Sequence, residues 1–219
     1  MKYTYNIYFD LQCIVILLSF LFAVKIVKNK NTPRYMKGFY WYPTVGLLCA
    51  IPSYIESHFF PIKHSQYLIN FSLLFHFCFL GNFILKVLPK RNVYIIIFFY
   101  LQLIIISTML LSSDWKFLAN KAFAITNFSL ALLSLVYFFQ ILKQTDLLNL
   151  LEEPSFWIIS GIFLGMGFES PLSAVIDYLT DNTLILQHKY FFRLIVASYI
   201  IMHLFFIKAY LCSIKVKRI

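Results

Sequence analysis

The sequence predicts an all-α, polytopic integral membrane protein: one bundle domain, residues 1–219, of seven transmembrane helices, with the N-terminus outside and the C-terminus in the cytoplasm. Three observations lead there. First, 61% of the residues are hydrophobic and 13% charged, with a mean hydropathy of +0.77, whereas a soluble domain carries about a quarter charged residues. Second, the apolar residues fall into seven runs separated by short connections, each near the about 20 residues needed to cross a hydrocarbon core of about 30 Å. Third, Lys and Arg gather at one end of those runs. The runs show no strict alternation, and a helix satisfies its own backbone in lipid, so helices are expected rather than a barrel.

The first span is Ile7–Val27. Its leader MKYTYNIYFD has one lysine and an aspartate, and no small-residue cleavage site follows the apolar run, so a retained helix is expected rather than a cleaved signal peptide. The second span, Gly38–Phe59, opens on the interface aromatics Tyr40, Trp41 and Tyr42, is broken by Pro43 and Pro52, and ends near Glu56 and His58. Tyr67–Leu88 holds Asn70, His76 and Asn82; Val93–Leu111 holds Gln102; Ala122–Leu142 holds Asn127. KQTDLLNLLEEP follows, with Leu147, Leu148, Leu150 and Leu151 disposed towards the membrane and Asp146, Glu152 and Glu153 towards water. It reads either as a short interfacial helix or as an extension of the fifth helix ended by Pro154. Ser155–Leu179 and Tyr190–Ile214 complete the set.

Orientation comes from charge. Thirteen of the 19 Lys and Arg lie on one side: Lys25, Lys28, Lys30, Arg34, Lys37, Lys86, Lys90, Arg91, Lys143, Lys208, Lys215, Lys217 and Arg218. Positive connections stay in the cytoplasm, which places the C-terminus there. The same distribution explains the net charge of +10 without nucleic acid, because the excess sits at helix ends facing anionic headgroups. Cys13, Cys49, Cys78 and Cys212 lie within apolar runs with no CxxC spacing, so neither a disulfide framework nor a zinc site is expected; they read as small core residues. No internal repeat is visible, which lowers the standing of a transporter.

The sixth run carries the chemistry. Gly161, Gly165, Glu169, Ser173 and Asp177 recur every four residues, forming one small and polar stripe that cannot face lipid. Gly161 and Gly165 make a GxxxG pair suited to close helix packing, and Pro171 can bend the helix beside Glu169. A charged side chain deep in the bilayer costs about 2.5–3.5 kcal/mol on insertion scales. Glu169 therefore needs a partner or a proton. Glu56, His58, His76, Asp177, Arg193 and His203 lie at similar depth, and an outward-opening polar pocket between the second, third, sixth and seventh spans is expected. Each member also has a plainer reading: the amides as interhelical hydrogen bonds of about 0.6 kcal/mol, the histidines as satisfied core residues, and Arg193 as a side chain snorkelling to the headgroups.

A metal-dependent lipid hydrolase would need three or four converging ligands and an open position, but there is no HExxH and no His pair at i, i+4. The preferred reading is a non-catalytic sensor, receptor or accessory subunit that binds a small ligand, lipid or membrane partner. No cofactor or metal is expected, and signalling would pass to a separate protein. The hydrolase stands second and a small transporter or channel third. The glutamate of AIPSYIESHFF, the junction YFFQILKQTDLLNLLEEPSFWIISGIF and the final FFIKAYLCSIK give the chain a plan that resembles a family of uncharacterised seven-helix inner-membrane proteins of Bacteroidetes-type bacteria. That resemblance implies a bacterial inner membrane and a helical bundle, and an acidic residue near position 76, where this chain has histidine.

Overall fold

The computed structural model describes residues 3–29, 32–59, 65–113, 119–143, 147–181 and 185–215, with side chains over 10–29, 32–52, 54–55, 67–113, 119–143, 150–176 and 190–214. Among these residues every regular element is a helix: α1 (Tyr3–Lys28), α2 (Arg34–Gly38), α3 (Trp41–Phe59), α4 (Ser65–Val87), α5 (Val93–Ser112), α6 (Asn120–Ile141), a 3₁₀ helix (Leu147–Glu152), α7 (Pro154–Asp181) and α8 (Ile185–Lys215). Six of them, α1 and α4 to α8, are long and apolar enough to cross a membrane. By that measure the chain is a multi-pass membrane protein.

The second expected span is the one that departs. It is α3, Trp41–Phe59, which starts three residues later than expected, after the turn at Phe39 and Tyr40 that follows α2, and among the described residues α3 is not one of the six apolar helices. The cause is local. Pro43 sits in the first turn of α3, where a missing N–H costs little, but Pro52 lies inside the helix and leaves the Leu48 carbonyl without its usual donor. Ser53, Glu56, Ser57 and His58 then dilute the remaining apolar character.

Packing order places the site. α7 lies along α8 and α6; α8 meets α1, α1 meets α3, α3 meets α4, and α4 meets α6. Six helices thus close into a ring, α1–α3–α4–α6–α7–α8. α5 stands outside, against α4 and α6, and turns Tyr94, Ile97, Leu101, Ile104 and Leu111 outward. Such apolar exposure is ordinary for a lipid-facing helix and costly in water.

The tightest seam is α7 on α8. A Cβ at Gly161 would sit 2.8 Å from the Cβ of Phe205 and 3.0 Å from the Met202 carbonyl; one at Gly165 would sit 2.9 Å from the Met202 Cβ. The GxxxG pair therefore serves packing within the bundle, where small residues let two backbones approach. Pro171 lies inside α7 with its ring exposed.

At the end where α1, α4, α6 and α8 finish, the ring is filled with aromatics. Phe39 is fully buried, 4.8 Å from Phe83 and 5.2 Å from Phe206, edge-on to both. Tyr42, Phe79 and Tyr210 complete this layer. Lys25, Lys28, Arg34, Lys37, Lys86, Lys90, Arg91, Lys143 and Lys208 crowd the same end of the bundle.

Within the KQTDLLNLLEEP connection Leu147–Glu152 form a short 3₁₀ helix, the short-helix reading rather than an extension of α6, which stops at Ile141; Pro154 starts α7. Glu153 fixes the junction, accepting hydrogen bonds from Tyr35 Oη at 2.6 Å and Ser155 Oγ at 3.2 Å, with Tyr137 Oη 3.2 Å from Ser155 Oγ. The Trp157 indole donates to the Leu151 carbonyl at 2.7 Å. The cysteines are not core residues: Cys13, Cys49 and Cys212 are half-buried and Cys78 is exposed.

Candidate functional site

At the other end of the ring the side chains become small, and space opens. Gly46 and Ala50 on α3, Ser72 on α4 and Ser173 on α7 leave a cavity of about 280 Å³. Each of the six ring helices contributes to its lining, and α5 does not. Helical periodicity sets who reaches it: Ser72 and His76 are four apart, Glu169 and Ser173 four apart, and Val196, Tyr199 and His203 follow the i, i+3, i+7 face of α8. Exposure rises from Tyr42 and His203, each 2% exposed, to the half-buried Gln12, Asn120 and Phe192 near the helix ends. The aromatic layer is the floor.

Within it, His76 is gripped from two helices. Tyr42 Oη lies 3.0 Å from its Nδ1, and Tyr199 Oη lies 3.2 Å from both ring nitrogens. A neutral imidazole offers one donor and one acceptor, and a hydroxyl can serve either, so both nitrogens find a partner. Tyr42 also meets the His76 ring edge-on at 5.0 Å. His203 stacks obliquely between Tyr42 and Tyr199, at 6.0 Å and 5.8 Å, and its buried Nδ1 has no hydrogen-bond partner among the described residues.

Glu169 is 5% exposed and lines the cavity. Asn127 of α6 is its side-chain neighbour, and Tyr42 and Tyr199 line the same cavity. Among the described residues the Asn127 Nδ2 has no partner within hydrogen-bond geometry. No Lys or Arg is among the cavity-lining residues described.

Of the residues proposed from sequence, Glu169, His76 and His203 come together around one cavity, joined by Ser173 of the same stripe. Arg193 lies with its guanidinium 5.6 Å from the ring of Tyr190 and does not line the cavity. The side chains of Glu56, His58 and Asp177 lie outside the described residues. Three amides act as structural hydrogen-bonding groups or stand apart: Asn70 Oδ1 accepts the Ala119 N–H at 3.1 Å, at the start of α6; Gln102 Oε1 accepts from Ser129 Oγ at 3.2 Å; Asn82 is exposed. The sequence reading missed Tyr42 and Tyr199 and the walls from α1 and α6. Tyr199 was detectable in principle, four residues before His203 on one helix face. Tyr42 was masked by its neighbours Tyr40 and Trp41, since three consecutive aromatics at a span boundary read as an interface belt.

Among the described residues the chemistry available is one buried carboxyl group, hydroxyls, imidazoles and an apolar wall, which suits binding by charge and hydrogen bond. Among the described residues no three His, Cys, Asp or Glu side chains converge to hold a metal ion. No family model, curated protein or solved structure matches the chain. Any functional reading rests on the cavity itself.

Proposed function

We propose that this is a seven-span receptor or accessory subunit of a bacterial inner membrane, which holds a small ligand in the ring cavity and passes its occupancy to a separate protein. The observation that carries this reading is a cavity with converging polar groups in one half of the ring, above an aromatic layer that fills the other half. Such a vestibule suits binding, and a filled far half gives transport less support. The metal-dependent hydrolase draws less support too, because both nitrogens of His76 face tyrosine hydroxyls.

α3 serves as the seventh crossing in this proposal. It packs against α1 and α4, and its 19 residues reach about 28 Å at 1.5 Å per residue, close to the hydrocarbon thickness. An odd number of crossings puts the termini on opposite sides, and the Lys-rich end then faces the cytoplasm. A partner would meet that face, at the basic connections or at Leu147–Glu152.

The test is purification in mild detergent followed by native mass spectrometry. A bound small molecule is expected with the wild-type protein and should be lost from Ala50→Trp, which fills the cavity from α3. A folded Ala50→Trp protein that keeps the same bound mass would remove the reading.

A further inference from the structure

Building on the ligand-cavity reading, we propose that the ligand is an ammonium compound whose charged head seats on Glu169 while an uncharged body lies along the apolar wall. Charge is the first reason. Glu169 is buried on the cavity surface, and among the described residues no cation pairs with it and no Lys or Arg lines the space. An anionic ligand would meet a carboxyl group that no described cation offsets, whereas a monocation restores neutrality to its ionised form in a low-dielectric setting.

Shape of the surroundings narrows the cation. A bare metal ion wants several hard or imidazole ligands at once; no such group exists among the described residues, and His76 is already engaged by Tyr42 and Tyr199. An ammonium group instead gains from aromatic faces within about 6 Å, and Tyr42, Tyr199, Phe123 and Phe192 all line the cavity. The buried Nδ1 of His203, unpartnered among the described residues, is one further polar atom that a ligand N–H or hydroxyl can complete. Ile69, Ile176 and Ile195 supply the wall for the body.

Free amines and the aminoethyl headgroup of a phospholipid share this chemistry. Isothermal titration of the full-length protein in non-ionic detergent with hexylammonium, hexanol and hexanoate tests the proposal. Hexylammonium should bind at least about tenfold tighter than hexanol, as expected of a hydrogen bond to a charged group, and hexanoate should bind weakest. Glu169→Gln should bring hexylammonium down to the affinity of hexanol and leave hexanol unchanged. Equal affinities for the amine and the alcohol in the wild type, or an unchanged preference in Glu169→Gln, would overturn the ammonium assignment and leave the cavity reading standing; binding of none of the three would overturn both. Repeating the titration in nanodiscs identifies the source: weaker hexylammonium binding in phosphatidylethanolamine than in phosphatidylglycerol supports the lipid headgroup, and equal binding supports a free amine.

Discussion

Tyr42 on α3 and Tyr199 on α8 close on the same imidazole, their hydroxyls 3.0 and 3.2 Å from Nδ1 of His76 on α4. Three helices that are distant in sequence are thus tied by one ring, and Tyr42 is 2% exposed. His76→Phe should therefore cost about 1–3 kcal/mol by leaving a buried hydroxyl unpaired, while Tyr42→Phe should cost about 1 kcal/mol because Tyr199 still serves the imidazole. A double-mutant cycle on thermal unfolding in detergent measures the coupling. Strictly additive effects would mean that the geometry contributes nothing to stability.

The α7–α8 seam makes a second prediction by contrast between glycines. A methyl at Gly161 meets the Met202 carbonyl at 3.0 Å and the Phe205 Cβ at 2.8 Å, and backbone cannot swing aside; at Gly167 the nearest atom is the Ala131 Cβ at 4.0 Å. Gly161→Ala should destabilise by about 1–3 kcal/mol through overpacking. Gly167→Ala should be neutral or slightly stabilising, since alanine favours the helix by about 1 kcal/mol over glycine. Unfolding midpoints of the two variants in the same detergent decide the matter, and equal midpoints would contradict the close approach.

These two features mark what was legible in the sequence. Length and hydropathy are one-dimensional properties, so six membrane-length helices could be read directly, and the four-residue period of Gly161, Gly165, Glu169 and Ser173 gave a face that is buried in the bundle. Which helices face one another is not written in periodicity. α1 lines the cavity through Gln12, Cys13 and Ile16 although its polar content resembles that of a simple anchor. The same limit misplaced Tyr42, which lies at the floor of the cavity because the break at Phe39 and Tyr40 starts α3 at Trp41 and turns that residue inward. The character of α3 was obscured for another reason: Pro43 and Pro52 look alike in sequence, yet only Pro52 interrupts a hydrogen bond the helix would otherwise make.

A pH effect is expected at the far end of the bundle. Burial, then the hydrogen bond to Glu153 and that carboxylate's charge, push the Tyr35 hydroxyl well above its ordinary value. A raised value in the folded state means that the unfolded chain releases the proton first, so this contribution is present below about pH 10, the ordinary tyrosine value, and is lost as pH climbs through the folded one. Tyr35→Phe should cost about 1 kcal/mol near neutrality and flatten the alkaline fall in stability. Superimposable alkaline limbs for wild type and Tyr35→Phe would show that the Tyr35–Glu153 contact at 2.6 Å has no energetic weight.

Cysteine accessibility tests both the cavity and the orientation. Cys13 and Cys49 line the cavity from α1 and α3, while Cys78 is exposed on α4 and Cys212 lies near the Lys-rich end, 3.9 Å from the Leu151 carbonyl. Thiosulfonates react with the thiolate, which forms only where water reaches the sulfur. A small, membrane-impermeant thiosulfonate applied to intact cells should therefore modify Cys49 in a protein whose other cysteines are serine, and hexylammonium should slow that reaction by occupying the same space. Cys212 as the sole cysteine should stay unmodified until the membrane is permeabilised. Were Cys212 to react first in intact cells, the Lys-rich end would face outward and the proposed orientation would be inverted. Were Cys49 to react at the same rate with and without the amine, the cavity would be open to reagent but not to an ammonium ligand.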